Sequence, residues 1–199
     1  MTTYPKEPWD LHGHAYVGLW LLPRVNTPAP HSPATRTVTI FGRAVVCAAF
    51  FVYEQPSPLT YDEIMTTVLV RQGWRPRVSI THIWVNSPAS RDGGRELWAI
   101  PKDLAEFDVA AHSSYAAQDI GSLAVRSTRR LPFALPIGFR TAQDRAGTLL
   151  VSPVSGRMRT GLTRGRWSFA ADGPIGFLAG RKPLLTLAAR PFHLIFGRR

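Results

Sequence analysis

Short apolar runs rich in β-branched and aromatic residues recur along the chain, and turn residues separate them. The 17 prolines and 16 glycines leave little room for long helices. The runs typical of strands are AYVGLWLL, TVTIF, AVVCAAFFVY, MTTVLV, VSITHIWV, LWAI and TLLV, followed by RWSFA, GPIGFL, LLTLAA and FHLIFG. This pattern predicts a mainly β fold, an antiparallel barrel or sandwich with few short helices.

Two segments have a more specific pattern. Strict alternation in VSITHIWV would place Val78, Ile80, His82 and Trp84 on one face of a strand covered on both sides. PKDLAEFD predicts a helical turn, because Pro101 suits a first helical position and acidic residues follow it. Lys102 would then lie at a strand-to-turn junction, where side chains often project into a cavity.

The chain shows no internal repeat and no convincing boundary, so we expect a single domain over residues 1–199. The Pro-rich segment at residues 26–35 predicts a loop excursion within that domain. The single cysteine, Cys47, excludes a disulfide within a monomer, and its apolar neighbours predict a small buried residue.

The formal net charge of +11 raises nucleic acid as a partner. The arginines are dispersed singly, however, and no zinc-finger, basic-helix or RNA-recognition pattern occurs. We therefore expect no nucleic-acid partner, and the positive field would equally serve an anionic small substrate. The start of the chain has no signal-peptide pattern and no apolar run is long enough to span a bilayer, so we expect a cytoplasmic protein without a membrane partner.

Several familiar chemical motifs are absent. The chain lacks a Gly-rich phosphate loop and a GxSxG nucleophile motif. His12 and His14 could share a strand face, but six histidines with a single cysteine and no acid–histidine cluster do not predict a zinc site. We expect neither a metal nor a cofactor.

Lys102 is the most informative residue, because only Lys6, Lys102 and Lys182 are lysine among the 24 basic residues. A neutral lysine amine attacks a ketone to form an iminium, which withdraws electrons and promotes loss of carboxylate or of a proton. Arginine cannot do this, and apolar surroundings lower the lysine pKa. The pattern predicts covalent catalysis by Lys102, with a surface lysine at a helix start as the alternative.

Three segments resemble the acetoacetate decarboxylase-like family: SPLTYDEI, VNSPASRDGGRELWAIPKDLAEFD and DGPIGFLAGRKPL. The similarity is strongest from about Ser57 to Asp108. In decarboxylases of that family a Gly-Arg-Glu run, a few apolar residues and Pro-Lys-Lys carry the site. The resemblance implies a cone-like β-barrel with an interior pocket, usually assembled as a homo-oligomer.

The same resemblance implies roles for individual residues. Lys102 matches the lysine that forms the Schiff base with a β-keto acid, and Glu63 matches a catalytic glutamate in a Y-x-E motif. A substrate-binding arginine of the family falls near His14 or Arg24. The chain departs from the pattern at Asp103, where the second lysine is expected, and near Val78, where a second glutamate is expected. A carboxylate close to Lys102 would raise the pKa of its amine.

Six further residues are candidates for substrate contact, and each has a structural alternative. Arg95 and Glu96 would alternatively brace the turn after the two glycines that precede them. The aromatic candidates would alternatively pack in the core or the pocket wall. These candidates are Tyr61, His82, Trp84, Arg95, Glu96 and Trp98.

Three functions follow as hypotheses. The first is an enzyme acting on a keto acid or related carbonyl compound through a Lys102 Schiff base, by decarboxylation or by aldol and dehydration chemistry. The second is a non-covalent cyclase of secondary metabolism, which orients a polyketide-like substrate in an apolar pocket. The third is a small-molecule binding protein built on the same barrel.

Overall fold

A computed structural model describes residues 3–110 and 113–197 of the chain. Among these residues strands predominate, with one α-helix, α1 (Pro88–Trp98), and short 3₁₀ helices at Arg24–Asn26 and Gly176–Leu178. The strands are β1 (Trp9–Pro23), β2 (Arg36–Thr37), β3 (Thr39–Ile40), β4 (Arg43–Glu54), β5 (Tyr61–Gln72), β6 (Arg75–Val85), β7 (Lys102–Leu104), β8 (Phe107–Ala110), β9 (Ser114–Ala117), β10 (Gly121–Arg130), β11 (Leu135–Arg145), β12 (Thr148–Phe169) and β13 (Leu185–Phe196).

Seven strands close into a barrel in the order β11, β6, β5, β4, β1, β13, β12 and back to β11. Neighbours in this ring pair antiparallel, except β6 and β11, which run parallel. Closure leaves the ring without an open sheet edge. The predicted mainly β, antiparallel barrel is confirmed.

Strand alternation gives the barrel two different faces. Every second residue from Cys47 to Tyr53 on β4, and from Tyr61 to Thr67 on β5, faces the interior. The outer faces of these strands pack against β9, β10 and the second half of β12 in a separate aromatic core. That outer core includes Tyr16, Trp20, Phe50, Ile64, Tyr115, Leu123, Trp167 and Phe169.

A β-bulge in β6 changes which of its residues face inward. Thr66 pairs with His82 while Thr67 pairs with Ile80, so Thr81 is an extra residue. As a result, Ile80 and Ile83 both line the interior, whereas His82 and Trp84 face the outer core. The expected common face for Val78, Ile80, His82 and Trp84 is therefore wrong.

Helix α1 occupies a segment where the sequence predicted only a strand and a turn. The Ser87 hydroxyl caps its first turn by accepting a hydrogen bond from the Ser90 amide at 3.2 Å, and Pro88 begins the helix. The predicted strand at LWAI is wrong, because Leu97 and Trp98 end this helix. The predicted helical turn at PKDLAEFD is also wrong, because residues 102–104 pair with β6 as strand β7.

Of two further predictions, the strand at GPIGFL is wrong and the Pro-rich loop is present. GPIGFL is not a strand but a turn and a 3₁₀ helix, which buries Ile175 and Leu178 in the outer core. Residues 27–35 form the predicted loop, tied to β6 by a 2.8 Å hydrogen bond from the His31 amide to the Ser79 hydroxyl. In the described part of the chain, no helix is long and apolar enough to cross a membrane.

Candidate active site in the barrel interior

The barrel encloses a cavity of about 330 Å³ whose walls are mostly aliphatic and aromatic. Polar side chains cluster at one end, where Tyr53, Tyr61, Glu63 and Lys102 meet. Among the described residues that line the cavity, Lys102 is the one basic side chain and Glu63 the one acidic side chain. An apolar cavity with a few convergent polar groups is the usual form of a small-molecule site.

Three structural elements position the Lys102 amine. It enters from β7 and donates hydrogen bonds to the Glu63 carboxylate on β5 at 2.8 Å and to the Ser90 hydroxyl on α1 at 2.9 Å. The Tyr61 hydroxyl lies 3.4 Å away. Lys102 is only 4% exposed, so these contacts replace water almost completely.

The Glu63 carboxylate is held from its other side as well. Its second oxygen accepts a hydrogen bond from the Tyr53 hydroxyl at 3.1 Å, and Glu63 is 3% exposed. The rings of Tyr53 and Tyr61 stack with their centroids 4.4 Å apart. Burial raises the pKa of both phenols, so they remain neutral hydrogen-bond donors.

Two opposing effects set the protonation state of Lys102. Burial lowers the pKa of its amine, but the adjacent Glu63 carboxylate, with a further contribution from Tyr61, more than offsets burial and holds the pKa above its ordinary value. The resting site therefore holds an ammonium beside a carboxylate.

Asp103 does not take part in this pair. Alternation on β7 turns its side chain outward, where it is 67% exposed and its carboxylate lies 3.7 Å from Arg95. The same carboxylate accepts a hydrogen bond from the Leu104 amide at 2.9 Å. The acid that raises the Lys102 pKa is therefore Glu63, and Val78 contributes only an apolar side chain to the cavity.

Of the predicted substrate contacts, Tyr61 and Trp98 line the cavity. His82 and Trp84 lie behind the β6 bulge on the outer face, where His82 contacts Phe177. His14 is also on the outer face of the barrel, bonded to Glu54 and Tyr115 at 3.0 Å each. The structure does not bring these three outer residues to the cavity.

The remaining three predicted contacts also lie outside the cavity. Arg95 donates a 2.6 Å hydrogen bond to the Lys102 carbonyl oxygen and so braces β7. Glu96 is exposed on α1. Arg24 lines a separate cleft.

Ser90 and Tyr53 are site residues that the sequence reasoning missed. Ser90, Gly93, Gly94 and Trp98 are the buried residues of α1, at the spacing of one helical face. Recognition of Ser87-Pro88 as a helix start would have placed Ser90 on the same face as the glycines. Tyr53 had no comparable signal, because its role depends on the pairing of β4 with β5.

The absence of a side chain at Gly94 leaves room for the aliphatic part of the Lys102 side chain. A methyl group at position 94 would lie 2.7 Å from Cδ and 2.9 Å from Cε of Lys102. We expect Gly94→Ala to slow Lys102-dependent chemistry roughly 10- to 100-fold, because the amine would be displaced from its partners. Gly138→Ala is the control, since its methyl would meet nothing closer than the Val154 carbonyl oxygen at 4.0 Å. Equal rates for Gly94→Ala and wild type would contradict this role.

Cys47 lines the cavity wall, and burial raises the pKa of its thiol to about 11. We expect alkylation of Cys47 at pH 8 to be roughly 100-fold slower in the folded protein than in urea, because the thiolate is the reactive form. Mass spectrometry of the alkylated chain checks this directly, since Cys47 is the only cysteine. Fast labelling of the folded protein would show an activated thiol instead.

One group of side chains has metal-ligating geometry, and it lies outside the cavity. The stacked rings of His12 and His193 share the Asp10 carboxylate at 3.0 and 2.6 Å. Among the residues described, this is the one set of three potential ligands within 4.8 Å of one another. Its side chains are partly or largely exposed, and none of the three lines the cavity that holds Lys102.

Solved structures of three enzymes share this fold. An acetoacetate decarboxylase from Legionella pneumophila matches with a TM-score of 0.64 and 16% identity, over 98% of this chain and 86% of the other. An acetoacetate decarboxylase-like enzyme from Sphingomonas wittichii RW1 gives 0.61 and 14%, over 97% and 92%. The enduracididine biosynthesis enzyme MppR, complexed with the condensation product of pyruvate and imidazole 4-carboxaldehyde, gives 0.56 and 14%, over 98% and 87%.

Identities this low show the fold alone, and no curated protein matches this chain in sequence. Family membership is shown instead by the family model for acetoacetate decarboxylase, which matches residues 35–142, just over half of the chain. The matched region contains Tyr53, Tyr61, Glu63, Ser90 and Lys102. The chain belongs to the acetoacetate decarboxylase family.

Proposed function

We propose that this protein is an enzyme that forms a Schiff base between Lys102 and a carbonyl compound with an apolar body. The observation that carries the proposal is a buried lysine amine, 2.8 Å from a buried carboxylate, in an otherwise apolar cavity. A lysine in such surroundings is suited to imine chemistry once it loses its proton.

The first step of the proposed reaction is proton transfer. Glu63 accepts a proton from the Lys102 ammonium, which becomes a neutral amine with a free electron pair. Exclusion of water by an apolar substrate favours this transfer, because a neutral pair costs less to bury than two charges. The amine then attacks the carbonyl carbon to form a carbinolamine.

Protons next move to the carbinolamine oxygen, which leaves as water, and the nitrogen and carbon form an iminium. Glu63 is the donor in reach, and the Tyr61 and Ser90 hydroxyls stabilise the charges that develop around the nitrogen. Hydrolysis of the final iminium reverses these steps and frees Lys102.

The iminium can react in two ways. With a β-keto acid, the carbon–carbon bond to the carboxylate breaks and its electron pair forms an enamine, with release of CO₂. Protonation of the enamine at its α-carbon then restores an iminium for hydrolysis. With a substrate that lacks this carboxylate, the Glu63 carboxylate accepts an α-proton and an enamine forms. The enamine carbon attacks a second carbonyl carbon, and the hydroxyl formed there then leaves as water. MppR, which shares the fold, is complexed with a condensation product of pyruvate and an aldehyde. This supports the condensation reaction as well as decarboxylation.

A second candidate is a non-covalent cyclase acting on a polyketide-like substrate. The observation that favours it is the raised pKa of Lys102, since Glu63 holds the amine as an ammonium. An ammonium does not attack a carbonyl carbon, but it donates a hydrogen bond that polarises a carbonyl oxygen. The apolar walls would orient the rest of the substrate.

Borohydride trapping separates the two candidates. The protein is incubated with β-keto acids, pyruvate and neutral ketones, reduced, and digested for peptide mass spectrometry. An adduct on Lys102 that is absent from Lys102→Met supports the Schiff base, and CO₂ release distinguishes decarboxylation from condensation. Absence of any adduct from folded protein, together with substrate conversion that survives Lys102→Met, would contradict it.

A further inference from the structure

A second cleft, of about 550 Å³, lies at the other end of the barrel. The strand register shows that this cleft and the Lys102 site lie at opposite ends of β5 and β6. Glu63 pairs with Val85, the last residue of β6, whereas Arg71 pairs with Pro76, the second residue. The cleft is formed where β2 adds to the end of β5. Its polar walls are Arg24, Arg36 and Arg71 together with Thr35, Thr37 and Thr39.

The three arginines of this cleft have no acidic partner in the part of the chain that the structure describes. None of the ion pairs among the described residues includes any of them. The sequence supports this, since residues 11–53 and 64–91 contain no aspartate or glutamate. Asp144 reaches the adjoining loop through the Ser32 hydroxyl at 3.5 Å but does not line the cleft.

Three exposed guanidinium groups around one cleft concentrate positive charge there, and this charge attracts an anion. Guanidinium groups donate two parallel hydrogen bonds to phosphate oxygens, and threonine hydroxyls add further donors. Arg71 donates a 3.1 Å hydrogen bond to the Gly73 carbonyl oxygen, and its guanidinium has further N–H donors for an anion. The cleft volume is within the range of small-molecule sites, so an attached group fits beside the anion.

We propose that this cleft binds the phosphate group of a larger molecule. Two neighbouring turns project fully exposed aromatic side chains, Phe41 between β3 and β4 and Trp74 between β5 and β6. Because β2 and β3 lie between the ends of β4 and β5, these turns flank the cleft on adjacent strands. The aromatic side chains provide apolar contact for whatever carries the phosphate, a soluble molecule or a lipid.

Titration calorimetry at physiological salt tests the cleft with inorganic phosphate, coenzyme A, and phosphatidylcholine vesicles with or without phosphatidylglycerol. We expect at least one phosphate probe to bind, and Arg36→Ala and Arg71→Ala to weaken it about tenfold or more. Arg75→Ala is the matched control, because Arg75 is exposed at the same end but does not line the cleft.

The pattern of binding identifies the source of the phosphate. Binding of phosphate or coenzyme A with the expected variant effects supports a soluble ligand, and binding confined to phosphatidylglycerol vesicles with the same effects supports a lipid. Absence of binding by every probe would overturn the proposal. Equal weakening by Arg75→Ala would also overturn it, because the attraction would then come from diffuse charge. Neither result bears on Lys102, so the proposed reaction is tested separately.

Discussion

Replacement of Lys102 by methionine is expected to abolish trapping of carbonyl compounds and to lower the stability of the fold. Methionine fills the space of the lysine stem but leaves the Glu63 carboxylate buried without its cation. Removal of one partner of a buried ion pair typically costs about 3–5 kcal/mol. For a chain of this length, that corresponds to a melting temperature lower by roughly 10 °C.

The double variant Lys102→Met/Glu63→Gln separates charge from packing. Because it carries neither charge, we expect it to regain most of the lost stability while remaining unable to trap carbonyl compounds. Lys182→Met is the matched control, because Lys182 is exposed. A single variant as stable as wild type would show that the pair is not buried as described.

The sequence predicted the barrel because its strands have local signals. Apolar runs rich in β-branched and aromatic residues and the glycine and proline turns between them are properties of neighbouring residues, and most of these runs are strands in the structure. The prediction failed where pairing between distant segments decides the outcome. The extra residue Thr81 in β6 turns the side chains of His82 and Trp84 to the outer face of the barrel. Only the register of β6 against β5 reveals this bulge.

The candidate site was predictable to a similar extent. Lys102 and Glu63 stood out through residue type and motif, and the fold brings them to 2.8 Å although they lie 39 positions apart in the sequence. The role of Asp103 was not predictable, because the direction of its side chain depends on whether residues 102–104 form a helical turn or a strand. Pairing of β7 with β6 decides this, and it turns Asp103 away from the amine.

Glu63→Gln is expected to shift the pKa of Lys102 below its ordinary value. Burial lowers the pKa of this amine, and without the carboxylate the main opposing effect is lost. Reaction of Lys102 with a neutral acylating reagent should therefore reach half its maximal rate at a lower pH than in wild type. Peptide mass spectrometry across a pH series measures this for Lys102 alone.

The same variant should turn over substrate about 100-fold more slowly, because glutamine cannot accept or return the protons that imine formation moves. A more reactive amine combined with slower turnover is a result that loss of structure alone would not give. Glu96→Gln is the control, since this exposed carboxylate does not line the cavity and its removal should change neither quantity. If Glu63→Gln left the Lys102 titration unchanged, Glu63 would not be what holds the amine protonated. If turnover were also unchanged, the proton transfers assigned to Glu63 would have to run through the Tyr61 and Ser90 hydroxyls instead.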